Sequence, residues 1–296
     1  MNKRLRLVIS VVLTLLTVAV FAYYLDHHSY LLTKLRHTRP LVVVWLLFLY
    51  VLWFSALALI LQASARVCGK RLPTGENFLL NAYSSLVNFF IPGQGGPAVR
   101  AVYLKQKYKI RVRSYIFATL IYYACYALVS GLMLLTGSRP WWQTLLATIA
   151  IGGLSCLVLF IYHSRSKMKE GEVAINWSTL SYVGLATVLQ AIIQVAIYFS
   201  ELHSVNSHIS LHQAITYTGA ANFALFVALT PGAIGIRESF LIFSEKLHHI
   251  TSANIVAANV IDRAIFIVFL GGLFLLVLGF HAKEKLHIKP TESPGS

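Results

Sequence analysis

The sequence predicts an all-α polytopic membrane protein with six long transmembrane helices and two broken helical hairpins, re-entrant or twice-crossing, in an inverted-topology repeat. Hydrophobic residues make up 57% of the 296 residues and charged residues only 12%, which is too apolar for a soluble domain of this length. Several apolar runs reach the about 20 residues that a helix needs to span the hydrocarbon core. Two P-G-x-x-G turns, beginning at Pro92 and Pro231, interrupt the remaining apolar sequence.

Six apolar runs are predicted to span the membrane. Five carry no charge, and they cover residues 7–25, 41–61, 114–137, 141–162 and 177–200. The sixth, 255–280, contains Asp262 and Arg263. The first run follows a basic N-terminus and also resembles a signal peptide, but it is long for that role and completes the repeat, so it is interpreted as a spanning helix.

Clusters of Lys and Arg predict how the two broken segments, 77–104 and 211–244, lie in the membrane. If each segment returns to the face it entered from, most of the 25 Lys and Arg residues fall on the cytoplasmic face, as the positive-inside rule requires. The basic residues expected on the outer face are then Lys34, Arg36, Arg39, Arg139 and Lys246. Each segment is therefore predicted to be a hairpin, and whether it crosses fully stays open.

This topology places two repeats in one transmembrane domain, residues 1–281. The first repeat, about 1–137, enters from the cytoplasm, and the second, about 138–281, enters from outside with the same order of elements. Residues 282–296 are predicted to form a cytoplasmic polar tail, so both termini of this multi-pass protein are expected on the inner side of the cell membrane. Inverted repeats with broken helices near the midplane are typical of secondary transporters.

The two turns are the first candidate functional feature. A helix that ends inside the membrane leaves backbone groups without partners, which is costly unless protein or a wet cavity covers them. The helix that follows each turn would also point its positive end at this cavity, which favours an anion. The alternative is a packing kink without a ligand. The turn residues are Pro92, Gly93 and Gly96 in the first segment and Pro231, Gly232 and Gly235 in the second.

Five charged residues within apolar segments are the second feature. Each costs at least ~2.5 kcal/mol at the bilayer centre if it faces lipid, so they are expected to face a cavity or each other. They are Arg100, Arg237, Glu238, Asp262 and Arg263. Asp262 is expected to pair with Arg237 or Arg100. A lipid phosphate at the arginines and closed structural ion pairs are both compatible with this pattern.

Polar residues in the broken segments, including Asn88 and Asn222, are interpreted either as a lining of the cavity or as interhelical hydrogen-bonding groups. Most of the histidines, His248 among them, fall on the predicted outer face, where solvated loops with a pH response are expected. His208 and His212 are four apart, a spacing that suits a metal if the stretch is helical, but no Cys or acidic cluster completes a metal site. We therefore expect no metal and no cofactor.

The basic residues form no continuous face, so nucleic-acid binding is not expected. The nucleotide-binding, zinc-protease and serine-hydrolase motifs are absent from the sequence. We therefore expect the protein not to be an enzyme.

The sequence resembles the transmembrane region of the lysylphosphatidylglycerol synthase family, the flippase-like membrane proteins. The resemblance rests on residues 88–104 and 229–238 together with the helix pattern. It implies a membrane protein that moves or handles anionic or polyprenyl-linked lipids. Some members carry a soluble aminoacyl-transfer domain; the sequence ends at Ser296 without one, so lipid aminoacylation is not expected. Many relatives carry a Glu-Arg pair where this chain reads Ile-Tyr-Tyr-Ala at 121–124, so the substrate is not copied from a relative.

The leading functional hypothesis is a lipid translocase that moves an anionic phospholipid or polyprenyl-phosphate-linked lipid through a cavity between the two hairpins. Arg100, Arg237 and Arg263 would hold the phosphate, and Asp262 and Glu238 would orient them or exchange a proton. The alternative is a non-transporting subunit that presents lipid to a separate synthase or glycosyltransferase. A membrane-embedded transferase is disfavoured because no nucleotide or metal site accompanies it. The expected partners are an anionic lipid headgroup and the bilayer; a lipid-modifying enzyme and a second copy of the chain stay open.

Overall fold

The computed structural model of the protein describes residues 39–90, 95–135, 141–165, 173, 176–226 and 236–286, and these residues form helices and short connections without any strand. The helices are α1 (Pro40–Val67), α2 (Thr74–Phe90), α3 (Gly95–Tyr108), α4 (Val112–Leu135), α5 (Trp141–Arg165), α6 (Trp177–Val205), α7 (Leu211–Phe226), α8 (Ile236–Phe243), α9 (Glu245–His248) and α10 (Ser252–Leu286). The predicted all-α class is confirmed for this part of the chain.

Four described helices are long and apolar enough to cross a membrane. They are α1, α4, α6 and the part of α10 from Ser252 to Gly279, and they coincide with four of the six predicted runs. The run 141–162 also forms a helix, α5, within which Gly152–Ile161 is a shorter apolar stretch. The run 7–25 lies outside the described residues. The chain is therefore a multi-pass membrane protein.

Local sequence explains where two of the spanning helices begin. α1 starts at Pro40. Proline suits the first turn of a helix, because a backbone N–H at this position would have no acceptor within the helix and its loss therefore costs nothing. α6 starts after Asn176, whose side-chain oxygen accepts a hydrogen bond from the backbone N–H of Thr179 at 2.8 Å. This cap satisfies one of the free amides of the first turn.

The centre of the bundle is formed where α1, α6 and α10 pack together. Leu46, Leu202 and Ile265 are fully buried there. Large apolar side chains such as Leu185, 70% exposed, and Leu275, 69% exposed, lie on the outer surfaces of the same helices. Apolar side chains that point outwards from spanning helices suit contact with lipid tails, which are as apolar as the core.

Both broken segments consist of two helices in contact. In the first, α2 ends at Phe90 and α3 begins at Gly95; in the second, α7 ends at Phe226 and α8 begins at Ile236. The predicted turns thus fall at the junctions between these helices, and the last residue of the first turn, Gly96, already belongs to α3. Of the turn residues only Gly96 is described; Pro92, Gly93, Pro231, Gly232 and Gly235 lie outside the described residues.

α2 and α3 are held together at both ends of the segment, by close backbone packing at one end and by side-chain bonds at the other. A Cβ on Gly96 would come within 2.8 Å of the Ser84 carbonyl oxygen, so only glycine allows this approach. At the opposite end, Glu76 accepts hydrogen bonds from the hydroxyls of Tyr103 and Tyr108, the latter at 2.8 Å, and pairs with Lys107 at 2.8 Å. The first segment is therefore a closed pair of helices rather than two independent ones.

Two expectations need correction, and the helical condition for a metal at His208 and His212 is not met. The run predicted to end at residue 200 continues as helix to Val205, so Glu201 belongs to the spanning helix α6. His248 is not solvated: only 1% of it is exposed, because it packs against the Tyr217 ring and bonds the Leu241 carbonyl. His208 and His212 do not share a helix, since α7 begins at Leu211 and His208 lies in the preceding turn.

Candidate functional site

The site is built around Arg237, the second residue of α8. Its Nη1 donates to Asp262 Oδ2 at 2.7 Å, and the two side chains are only 8% and 7% exposed. Asp262 lies on α10, and α8 packs against this helix. Of the two partners expected for Asp262, the structure selects Arg237. Because both groups are withdrawn from water, each depends on the other for compensation of its charge.

Two tyrosines complete the surroundings of this ion pair. The Tyr50 hydroxyl on α1 donates to Asp262 Oδ1, so both carboxylate oxygens of Asp262 are used. The Tyr198 ring on α6 lies under the Arg237 guanidinium, with Cζ 4.9 Å from the ring centroid. Four helices, α1, α6, α8 and α10, thus contribute one side chain each to a single buried polar cluster.

Arg237 uses only part of its hydrogen-bonding capacity. Its Nε and Nη2 atoms are buried and have no hydrogen-bond partner among the described residues. A guanidinium presents five N–H donors, and buried donors without acceptors cost free energy. The unused edge of Arg237 is therefore a ready-made place for an acceptor that the described residues do not provide.

A second ion pair lies on the same two helices. Arg263 Nη2 donates to Glu238 Oε1 at 3.0 Å, with side-chain exposures of 10% and 23%. Asp262 and Arg263 are adjacent in sequence, yet each bonds a separate partner on α8, because neighbouring residues point in different directions from a helix. The structure brings these four predicted residues together.

Arg100 occupies a different place. Its Nη2 donates to Asn81 Oδ1 at 2.7 Å, across the interface between α3 and α2. Asn81 in turn donates to the Phe54 carbonyl of α1 at 3.2 Å. The Arg100 Nε is buried and has no partner among the described residues. Each broken segment thus carries an arginine after its break with at least one unused buried donor.

The two asparagines of the predicted site make interhelical contacts. Asn88 Oδ1 accepts from the Gly96 backbone N–H at 3.4 Å, between α2 and α3. Asn222 donates to Ser130 Oγ at 3.1 Å, between α7 and α4, and it is fully buried. Of the two interpretations left open, these contacts favour interhelical hydrogen bonding.

Sequence reasoning missed Glu201. It lies one residue beyond the run that was taken as the span, is 1% exposed, and interacts with the Asp262 and Tyr50 side chains. A signal was present in the sequence, because polar residues recur along α6 at intervals of three or four and therefore share one face of the helix. These residues are Thr187, Gln190, Gln194, Tyr198 and Glu201, and all of them are buried.

The polar face of α6 continues the cluster away from Arg237. Tyr122 donates to Gln190 Oε1 at 3.0 Å, and Tyr126 donates to Gln194 Oε1 at 3.2 Å, both from α4. From Gln190 to Glu201 the helix rises about 16 Å, at 1.5 Å per residue. This distance is roughly half of the hydrocarbon thickness of a bilayer.

Comparison with known proteins gives one family match. None of the curated proteins matches the sequence significantly. The family described as the lysylphosphatidylglycerol synthase transmembrane region matches residues 5–273, which is nearly the whole chain and includes both broken segments and the ion pairs of α8 and α10. Membership links the chain to lipid handling in membranes. The chain belongs to the lysylphosphatidylglycerol synthase transmembrane-region family.

Proposed function

We propose that this protein is a flippase-like lipid translocase, which moves an anionic phospholipid or polyprenyl-phosphate-linked lipid between leaflets without changing it chemically. The observation that carries this function is the buried Arg237, with two donor atoms unused among the described residues. Family membership supports lipid as the class of substrate.

A phosphate group suits the unused edge of Arg237. Its oxygens accept two parallel N–H bonds from one guanidinium, and such charge-assisted bonds are about twice as strong as neutral ones. Arg237 also stands at the second position of α8, where the free backbone amides and the helix dipole favour an anion. Asp262 and the Tyr198 ring hold the guanidinium in place from other directions.

In this translocase the two halves form an inverted repeat of six spanning helices and two broken hairpins. The packing pattern supports the repeat when α1, α2, α3 and α4 are matched with α6, α7, α8 and α10. The pair α1–α6 maps onto itself. Six further contacts each have a counterpart under this correspondence, and all twelve are made. In the first set they are α1–α2, α2–α3, α3–α4, α1–α4, α4–α6 and α4–α7. Their counterparts, in the same order, are α6–α7, α7–α8, α8–α10, α6–α10, α10–α1 and α10–α2.

The headgroup would move along the polar face of α6 while the lipid tails stay in the bilayer. Gln190, Gln194 and Tyr198 offer hydrogen-bonding groups within the apolar bundle, so a headgroup in transit would not lose all polar contacts. Polar groups inside a membrane domain commonly mark substrate pathways. Arg100, on the equivalent helix of the other half, would receive the phosphate at the far end.

The charge distribution supports an orientation with both termini in the cytoplasm. Loops between the spanning helices differ in their content of Lys and Arg, and this difference favours an inner position for the α1–α2 and α3–α4 connections. The α6–α7 connection, with Asn206 and His208, would then face outside. The membrane that we propose is the cell membrane.

The experiment is a scrambling assay in reconstituted vesicles, with separate arms for fluorescent phosphatidylglycerol, a fluorescent polyprenyl phosphate and, as the zwitterionic control, fluorescent phosphatidylcholine. We expect wild-type protein to accelerate movement of the anionic lipid, Arg237→Gln to abolish it, and Lys246→Ala, which changes an exposed lysine, to leave it unchanged. Correct folding of Arg237→Gln is checked by gel filtration and thermal unfolding.

Wild-type rates equal to those of empty vesicles, for phosphatidylglycerol and for a polyprenyl phosphate alike, would contradict the translocase. Co-purification of a stoichiometric lipid-modifying enzyme, together with that absence of flux, would favour the alternative of a subunit that presents lipid.

A further inference from the structure

Glu201 is a buried carboxyl group that forms no ion pair with another of the described residues. It lies on α6 at 1% exposure, and its Oε1 has no hydrogen-bond partner among the described residues. Its neighbours include the Asp262 carboxylate and the Tyr50 hydroxyl. Tyr50 donates its proton to Asp262, so it cannot donate the same proton to Glu201.

The charges around Glu201 do not balance if both carboxyl groups are ionised. Arg237 is in contact with Asp262 at 2.7 Å, and the other guanidinium of the cluster, Arg263, is held by Glu238 at 3.0 Å. One arginine therefore faces two carboxyl groups. Burial of an ionised carboxylate without a partner is strongly unfavourable, and a buried acid avoids that cost when it takes up a proton.

Glu201 interacts with titratable or charged groups of five helices, which are Tyr50 of α1, Tyr217 of α7, Arg237 of α8, Asp262 of α10 and Tyr198 of α6 itself. Tyr126 of α4 interacts with two members of this set, Tyr198 and Arg237. Four of these six groups are tyrosines, which are neutral at physiological pH. Among the described residues, Arg237 is thus the cation that both carboxyl groups share.

We propose that Glu201 is a proton-binding site that couples protonation to the occupancy of Arg237 by an anionic headgroup, an inference that rests on the proposed lipid site for its coupling but not for the proton itself. The proton adds to a carboxylate oxygen to give the neutral acid, and it leaves to water. No other bond changes.

The coupling follows from charge. A phosphate at the unused edge of Arg237 adds negative charge next to Asp262 and Glu201, which makes the ionised form of Glu201 still less favourable. The proton and the anion therefore bind together, and each raises the affinity for the other by the same factor. When the lipid leaves, Arg237 regains the capacity to compensate a second carboxylate, and the proton is released.

The proton on Glu201 can be detected by an experiment that does not depend on lipid transport. Infrared spectroscopy of the full chain in detergent, titrated between pH 5 and pH 9, is expected to show the C=O band of a protonated carboxyl group. The isosteric Glu201→Gln variant is expected to lose that band, whereas Glu245→Gln, at a partly exposed carboxylate outside the cluster, is expected to keep it. Identical spectra of wild type and Glu201→Gln would overturn the proton site, as would loss of the band on addition of Na⁺.

The coupling is tested in the vesicle assay with fluorescent phosphatidylglycerol. Wild-type flux is expected to fall about tenfold per pH unit once the pH passes the midpoint of the infrared titration, as for a single proton, while Glu201→Gln keeps a flux independent of pH. A pH-dependent flux that persists in Glu201→Gln would overturn the coupling. If flux is absent but the band is found at Glu201, the proposed function fails and the proton site stands.

Discussion

Arg237 and Asp262 are joined at 2.7 Å although 25 residues separate them in the chain, and both side chains are more than nine-tenths buried. This bond connects the short helix after the second break to the longest described helix, α10. The geometry of the break is therefore tied to a helix that also contacts α1, α2 and α6. Displacement of α8 would be transmitted to the centre of the bundle.

The Arg237–Asp262 bond should be strongly coupled in a double-mutant cycle. Arg237→Gln leaves the Asp262 carboxylate unpaired, which costs roughly 3–5 kcal/mol, and Asp262→Asn leaves Arg237 with Glu201 in place of its hydrogen-bonded partner, while the double variant removes both charges. We expect thermal unfolding in detergent to show the double variant as less destabilised than the sum of the two single variants. The matched cycle on Arg263 and Glu238, whose side chains are more exposed, should give a smaller coupling. Additive effects at Arg237 and Asp262 would show that the bond does not form.

Gly219 should not tolerate a side chain. A Cβ at this position of α7 would collide with the Leu134 backbone nitrogen and would lie 2.7 Å from the Ser130 carbonyl oxygen, both of α4. Backbone atoms cannot move aside as a flexible side chain would, so Gly219→Ala should separate α7 from α4 and cost about 1–3 kcal/mol or more. The loss of stability in Gly219→Ala is measured by the unfolding temperature and by the yield of monodisperse protein.

Gly272→Ala is the control for this substitution, because no atom lies within 4 Å of a Cβ at Gly272 in α10. It adds the same methyl group to a membrane helix. Equal losses of stability in the two variants would argue that α7 and α4 do not approach as closely as the structure has them.

The stability of the protein should fall with acidification through His248. Burial lowers the pKa of His248 below its ordinary value of 6.5, and the hydrogen bond to the Leu241 carbonyl only partly opposes this. The folded-state pKa is the depressed one, so the stabilisation is fully present above about pH 6.5 and is lost as pH falls through the folded-state value. Unfolding temperatures at pH 7.5 and pH 5.5 measure it.

His248→Asn should reduce the acid sensitivity of the unfolding temperature, at the expense of some stability at pH 7.5. His249→Asn is the control, since His249 is exposed and has a left-handed backbone, φ +55°, that asparagine tolerates. If both variants kept the full acid sensitivity, another group would be responsible.

The orientation of the loops can be tested by labelling. In a background with Cys68, Cys125 and Cys156 replaced by serine, Lys70→Cys lies in the α1–α2 connection and Ser207→Cys in the α6–α7 connection, both exposed. The proposed topology places them on opposite faces. An impermeant maleimide added to intact cells should label Ser207→Cys alone, and both after lysis. Labelling of Lys70→Cys in intact cells would refute the topology.

Much of the architecture was predictable from composition and periodicity. Apolar runs of about 20 residues must form helices in a membrane, because no water is present there to satisfy the backbone. Pro92 and Pro231 likewise predict that the helices of the broken segments stop near them, and α2 and α7 end before these positions. These conclusions depend only on local sequence and on the solvent, so tertiary contacts were not needed to reach them.

The composition of the site depended on the tertiary structure. Five charged residues were identifiable from sequence, but the choice of Arg237 over Arg100 as the partner of Asp262 is made by the packing of α8 against α10. Glu201 was overlooked because hydropathy locates the end of an apolar run, whereas the bundle determines which face of the last helical turn is buried.

The sequence by itself thus determined the class, most of the spanning helices, the positions of the two breaks and the family. Only the tertiary structure decided that Arg237 pairs with Asp262, that Glu201 is buried beside this pair, and that two donor atoms of Arg237 have no partner among the described residues. The physical reason is the range of the interactions. Helix formation in lipid is satisfied within each segment, while compensation of buried charge is arranged between helices that are distant in the chain.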